Sequence, residues 1–316
     1  MKKIVVIGEI LAEIMADTTG SGFRDPIPMT GPFPSGAPAI FIDQVARLGQ
    51  PCAIVSTVGN DDFGRLNLDR LQADGVDTTA VAVDPDRPTG CAFVRYRPGG
   101  ARDFIFNIRH SACGQVPSGD AVARAIDSAD HLHVMGSSLS TAGIVALNLA
   151  ATRAVKARGG TVSFDPNLRK EMLDAPGLRA AMAEVLSLTD LFLPSGDEVF
   201  LFSAASRAEA AVAELLTLGP SAVVHKLGAA GVRYRDAGRT IFQPAFPVSE
   251  RDPTGAGDCF GGVFTALWLR GTDTAHALAL AAAAGALAVT KRGPMEGAST
   301  LEALTAFVAA HLDAAR

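Results

Sequence analysis

Short, uninterrupted apolar runs recur along this chain, separated by longer segments of helical period. The runs are "KIVVIG" (3–8), "CAIVSTVG" (52–59), "HLHVMG" (131–136), "TVSFDPN" (161–167), "DLFLP" (190–194) and "AVVHKLG" (222–228). Apolar residues at helical spacing cover 38–48, 62–73, 139–158, 175–187, 205–218, 257–270 and 273–290. A strand that is apolar at nearly every position must be covered on both faces. Such strands, alternating with helices, predict a doubly wound α/β fold: a mostly parallel sheet with helices on both sides. Sheets of this kind bind ligands beyond the carboxyl ends of their strands. Here those ends carry Gly8-Glu9, Gly59, Gly136, Asp165-Pro166-Asn167, Ser195 and Gly228, so small and polar residues collect on one edge.

One region breaks the pattern. "CAFVRYRPGGARDFIFNIR" (91–109) holds two alternating segments around Pro98-Gly99-Gly100, the signature of a β-hairpin. Together with the loop-like, Pro/Gly-rich segment 10–33 it predicts a small inserted β-sheet, formed from about residues 10–33 and 88–110, that stands off the main domain as a lid. Otherwise residues 1–316 read as one domain, without internal repeats, low-complexity tails or linkers.

Composition narrows the function. A net charge of −5 with 19 % charged residues argues against nucleic acid as a partner, which calls for a basic stripe. No cysteine pair has CxxC spacing, so neither a zinc site nor a redox motif is indicated, and a reduced, cytoplasmic location is the expectation. The opening apolar run is too short for a signal peptide. The Ala-rich stretch 275–289 reads as a packed internal helix rather than a membrane span. His131 and His133 alternate in an apolar strand with no third metal ligand at useful spacing, and read as buried core histidines.

The chemistry concentrates in "RDPTGAGDCFGGVF" (251–264). Small turn residues precede an apolar helix, and a helix start offers unpaired N–H groups and partial positive charge to an anion. Asp258 repels an anion that is only held. It fits if a phosphoryl group is transferred there, because the attacking hydroxyl then needs a base. The alternative is an Asp that caps a helix. No GxxxxGK[ST] pattern occurs, which excludes a P-loop kinase, and "GAGDCF" lacks the third glycine of a dinucleotide fingerprint.

"DPTGAGDCFGGVF" resembles the C-terminal signature of the ribokinase-like (PfkB) carbohydrate kinases, and "PSGAPAIFIDQVARLGQPCAIVSTVGNDDFGR" (34–65) their N-terminal signature. "VIGEIL", "FDPNLR" (164–169) and "KLGAAGV" (226–232) follow in matching order. The resemblance implies transfer of the γ-phosphoryl group of MgATP to a sugar hydroxyl. Asp258 would be the catalytic base, and Gly255, Ala256 and Gly257 the anion hole. Lys226, Gly228 and Gly231 match the nucleotide strand and loop. Glu198 matches the last residue of an Asn-x-x-Glu motif that organises magnesium through water, with Ser195 in place of the Asn. Asp252 and Thr254 match positions whose carbonyls hold a monovalent cation such as K+.

On the sugar side, Glu13 stands where relatives carry Asp. Gly36 and Ala37 match the turn beneath the sugar, and Ile40 replaces a hydroxyl-binding Asn. Arg95 and Arg109 on the hairpin, and Arg169 after "DPN", are candidate contacts to an acidic substrate or, for Arg169, to phosphate. The expected substrate is a ketohexose of the tagatose or fructose type, with 2-keto-3-deoxygluconate as the alternative. A sugar- or nucleotide-binding regulator without turnover remains a different class. Some relatives dimerise through the lid, so a homodimer is expected.

Overall fold

The computed structural model describes residues 1–20, 23–98, 102–168 and 177–314. Its centre is a nine-stranded sheet. In chain order, the strands are β1 (Ile4–Ile7), β4 (Cys52–Gly59), β5 (Val81–Asp84), β8 (His131–Met135), β9 (Thr161–Asp165), β10 (Leu191–Phe192), β11 (Ala222–Lys226), β12 (Val232–Asp236) and β13 (Thr240–Gln243). They lie in the order β13-β12-β11-β10-β9-β8-β1-β4-β5. From β5 to β11 every neighbouring pair is parallel, and β12 and β13 return antiparallel.

The continuous apolar runs divide by parity. Ile4 and Val6 enter one core together with α1 (Ala37–Arg47), α7 (Ala256–Leu269), α8 (Thr274–Ala288) and α9 (Leu301–Ala314). Val5 and Ile7 enter a second core with α3 (Asp120–Asp127), α4 (Ala142–Ala157), α5 (Leu178–Ser187) and α6 (Ala208–Leu215). The expected coverage on both faces is therefore present, and all four residues of β1 are buried. Helix starts are fixed locally: α2 (Asp62–Ala73), α4 and α8 begin at Asp61, Thr141 and Asp273, whose side chains accept N–H groups of the first turn.

A second, four-stranded sheet of order β3-β2-β6-β7 is built from β2 (Leu11–Ala16), β3 (Met29–Ser35), β6 (Gly90–Tyr96) and β7 (Arg102–Asn107). β6 and β7 form the expected antiparallel pair, in register from Cys91↔Asn107 to Tyr96↔Arg102. Residues 10–33 supply two of the four strands.

His131 and His133 are fully buried. His131 hydrogen-bonds to Thr161 and Ser163, and His133 to Ser163, while its ring stacks 3.7 Å from that of Phe41. All four cysteines are free thiols. The Ala-rich stretch is α8, packed on α7, and no helix among the described residues is long and apolar enough to cross a membrane.

Candidate active site

Strand order reverses at β1: the chain leaves it for β4 on one side and returns to β8 on the other. A crevice opens at the carboxyl ends of such strands. Here it is a cavity of about 490 Å³, walled by these ends, by the start of α7 and by the four-stranded sheet.

Glu9, just beyond β1, is 5 % exposed. Its two oxygens accept the hydroxyls of Ser137 (2.9 Å) and Ser138 (2.8 Å), which follow β8. Glu13 on β2 is 3 % exposed and accepts the Ser35 hydroxyl at 2.7 Å. Two buried carboxylates thus line one wall of the cavity. Gly36 lies between them at φ 108, and a Cβ there would come within 2.4 Å of the Glu9 carbonyl, so the turn requires glycine. Ala37 and Ile40 complete this wall.

The start of α7 forms the opposite end. Gly255 is left-handed (φ 81), and a Cβ there would lie 2.3 Å from the Pro294 carbonyl. From this turn the N–H groups of Gly255, Ala256 and Gly257 lead into the first helical turn, where a helix offers its N–H groups no intrahelical acceptor. Asp258 follows in that turn, 7 % exposed, with Oδ1 accepting the Asn167 side-chain amide at 3.0 Å. Most of α7 behind it is buried, from Asp258 to Leu267, which holds the turn on a rigid element.

Lys226, at the end of β11, forms an ion pair with Asp165, at the end of β9. Burial alone would push the Lys226 ammonium down, but Asp165, Glu198 and Asp258 outweigh it and hold it above its ordinary value. Burial, reinforced by the Asp165 charge, raises the Glu198 carboxyl. Glu198 accepts the backbone N–H of Leu168 (2.8 Å) and of Ser195 (2.7 Å), and the Ser195 side chain caps the short 3-10 turn that carries it.

A further cavity, of about 510 Å³, lies behind the start of α7. It is bounded by the Gly228–Gly231 loop, Phe246 and the face of α8. The two cavities share Lys226, Pro253 and Gly257, while Asp258 lines only the first. Two ligands can therefore meet at the helix start, one on each side.

The model of the pfkB family carbohydrate kinases matches residues 1–301. The chain belongs to this family. It is accordingly a carbohydrate kinase, a phosphotransferase with the ribokinase fold. Among its PfkB relatives, a 2-dehydro-3-deoxygluconokinase of Thermoproteus tenax is 35 % identical over 94 % of this chain and 91 % of its own. A fructokinase of Klebsiella pneumoniae is 33 % identical over 93 % and 95 %. A solved structure of a provisionally named ribokinase II from E. coli, in complex with ATP and Mg2+, is 50 % identical. It covers 98 % of this chain and 100 % of its own, at a TM-score of 0.92.

Against this PfkB frame, the structure gathers most of the residues singled out from sequence. Glu13, Gly36, Ala37, Arg109, Ser195, Glu198, Lys226, Thr254, Gly255, Gly257 and Asp258 line the first cavity. Gly228, Gly231, Ala256 and again Lys226 line the second. Asp252 is 1 % exposed beside them, its carboxylate engaged by Tyr96, the Thr254 N–H and the Gly293 N–H. Arg95 does not line either cavity. It is buried on the other face of β6, its guanidinium 4.9 Å from the Phe23 ring. Arg169 lies outside the described residues.

Sequence reading left several wall residues unassigned. Arg102, the first residue of β7, reaches into the first cavity and donates to Thr254 Oγ1 at 3.2 Å. Ser137, Ser138 and Asn167 act on Glu9 and Asp258 from other strand ends. Their only signal was position, directly after an apolar strand on the ligand-binding edge.

Proposed function

We propose that this carbohydrate kinase moves the γ-phosphoryl group of MgATP to a primary hydroxyl of a ketohexose of the tagatose or fructose type. The observation that carries the reading is the junction of the two cavities at Gly257 and Lys226, with Asp258 facing only the one that holds Glu9 and Glu13. The nucleotide would lie along the Gly228–Gly231 loop and the sugar under the four-stranded sheet. The two buried carboxylates accept sugar hydroxyls. Asp258 accepts the proton of the attacking hydroxyl as its oxygen bonds to phosphorus and the bond to the leaving ADP breaks. The N–H groups of Gly255, Ala256 and Gly257 hold the charge that develops on the moving group. Lys226 keeps a positive charge beside the phosphates. The four-stranded sheet acts as a lid that excludes water.

Magnesium, when bound, neutralises charge on the phosphate oxygens. Among the described residues no cluster of three or more His, Cys, Asp or Glu forms a metal cage. Glu198, on the wall of the first cavity, would hold the ion through water, with the phosphates carrying the rest. A monovalent cation at the 252–254 turn would rest on the backbone carbonyls of Asp252 and Thr254, since the Asp252 carboxylate is engaged by three donors.

A second reading, 2-keto-3-deoxygluconate, is favoured by Arg109 in the sugar cavity and by the relative of that activity. Against it, Ala92, Phe104, Phe106 and Ile108 make most of the sheet's contribution to that cavity apolar, and Arg102 on the same face already donates to Thr254. ADP release from MgATP, measured with tagatose, fructose, 2-keto-3-deoxygluconate, ribose and adenosine in turn, separates the readings. Stimulation by a ketohexose supports the first. Stimulation by the keto acid alone replaces it with the second. Silence across the panel, with ATP still bound, favours the regulator.

A further inference from the structure

Two side-chain contacts join the four-stranded sheet to the turn before α7, and the chemistry proposed above uses neither. Tyr96, the last residue of β6, donates its hydroxyl to Asp252 Oδ1. Arg102, its register partner on β7, donates to Thr254 Oγ1 at 3.2 Å. Asp252 Oδ1 also accepts the Thr254 N–H at 3.0 Å, and Oδ2 accepts the Gly293 N–H at 3.0 Å. One fully buried carboxylate therefore receives the sheet from one side and fixes the backbone of the turn from the other. Gly293 leads directly into Pro294, whose carbonyl packs against Gly255. The position of the Asp252 carboxylate is thus tied to the left-handed turn that aims the α7 N–H groups. Burial, and donation to Asp252, raise the Tyr96 phenol, so it remains a donor throughout the neutral range.

We propose that Tyr96 is a positioning residue. Acting through Asp252, it couples the seating of the four-stranded sheet over the sugar to the alignment of the 255–257 N–H groups, so that phosphoryl transfer is fast only when the sheet is down. The inference rests on the reading of that turn as the anion hole. It has a functional rationale. Water in place of the sugar would attack the same phosphorus and release ADP and phosphate, but a single water molecule is too small to bridge the cavity floor and the sheet. A link from sheet to turn makes fast transfer depend on a substrate large enough to hold the sheet in place.

Tyr96→Phe removes one oxygen and keeps the ring. In the full-length kinase, with its sugar saturating, kcat is expected to fall about tenfold, the size expected when a hydrogen bond to a carboxylate is lost. ATP affinity and sugar-free ADP release are expected to stay within about twofold of wild type, because the link acts only with the sheet seated. In an Asp252→Asn background, Tyr96→Phe should cost almost nothing more, as two members of one network are non-additive. The proposal is overturned if Tyr96→Phe keeps the wild-type kcat. It is also overturned if the variant loses sugar-dependent and sugar-free turnover alike, or costs the same factor in the Asp252→Asn background. Should Asp252→Asn fail to fold, the comparison of kcat with ATP affinity in Tyr96→Phe decides alone. Asp258→Asn is assayed beside these variants. If it retained turnover, the base assignment would fall, while the Tyr96 inference would still be judged on its own ratios.

Discussion

Lys226 and Asp165 close an ion pair across the carboxyl ends of β11 and β9, with side chains 11 % and 2 % exposed. The pair is local to the site and far apart in sequence. It places one positive charge among the carboxylates Asp165, Glu198 and Asp258, where the proposed reaction would bring the phosphates.

Removing one partner of a buried pair leaves the other charge desolvated and alone. Lys226→Met is expected to lower the free energy of unfolding by about 3 kcal/mol, measured by denaturant titration. Adding Asp165→Asn should recover part of that loss. A fully additive double variant would contradict a paired, buried charge.

Gly255 is constrained twice, by its left-handed backbone and by the Pro294 carbonyl. Gly255→Ala should displace the turn and misplace its N–H groups. The expected loss in kcat is about 10²-fold or more, with stability reduced by about 1–3 kcal/mol. Unchanged kinetics would show that the turn is not the anion hole.

Asn167 donates to Asp258 Oδ1 from a left-handed backbone position (φ 37) just beyond β9. Asn167→Ala removes the group that aims this carboxylate. A fall in kcat of about tenfold is expected, with ATP affinity unchanged, measured by steady-state assay and equilibrium titration. Equal losses in both would indicate general damage instead.

Burial pushes His131 down to about 3 and His133 well below its ordinary value. The unfolded chain takes up these protons near pH 6.5, and the folded chain does not until far lower. The neutral pair therefore contributes its full stability above pH 6.5, and this contribution is lost as the pH falls from 6.5 towards 3. For His131 the slope is at most about 1.4 kcal/mol per pH unit. Urea unfolding of wild type between pH 7 and pH 5 should lose more stability than His131→Asn. Equal losses would contradict a neutral, buried imidazole.

The sheet and most of its helices were legible because continuous apolar runs and 3.6-residue periodicity report burial directly. The strands β5, β12 and β13 were not picked out: β5 and β13 are four-residue segments of mixed exposure, and β12 alternates apolar with charged residues at the antiparallel end of the sheet. The helices α3 and α9 were passed over too. Arg95 shows a sharper limit. On β6, Cys91 and Phe93 are as apolar as Ala92 and Val94. Nothing in the pattern says which face meets the cavity, and the structure turns Ala92 inward. The helix-start turn was readable because its glycines and Asp258 are contiguous. Tyr96 and Asp252 are 156 residues apart, and no local pattern links them.

The most direct test of the account is Asp258→Asn, an isosteric change that removes the base and leaves the helix start in place. Sugar phosphate formation and ATP affinity are measured on the same preparation. Turnover is expected to fall by about 10²- to 10⁴-fold while ATP binding stays near wild type. Wild-type turnover in this variant would contradict the assignment of Asp258 as the base, and with it the catalytic account built on the start of α7.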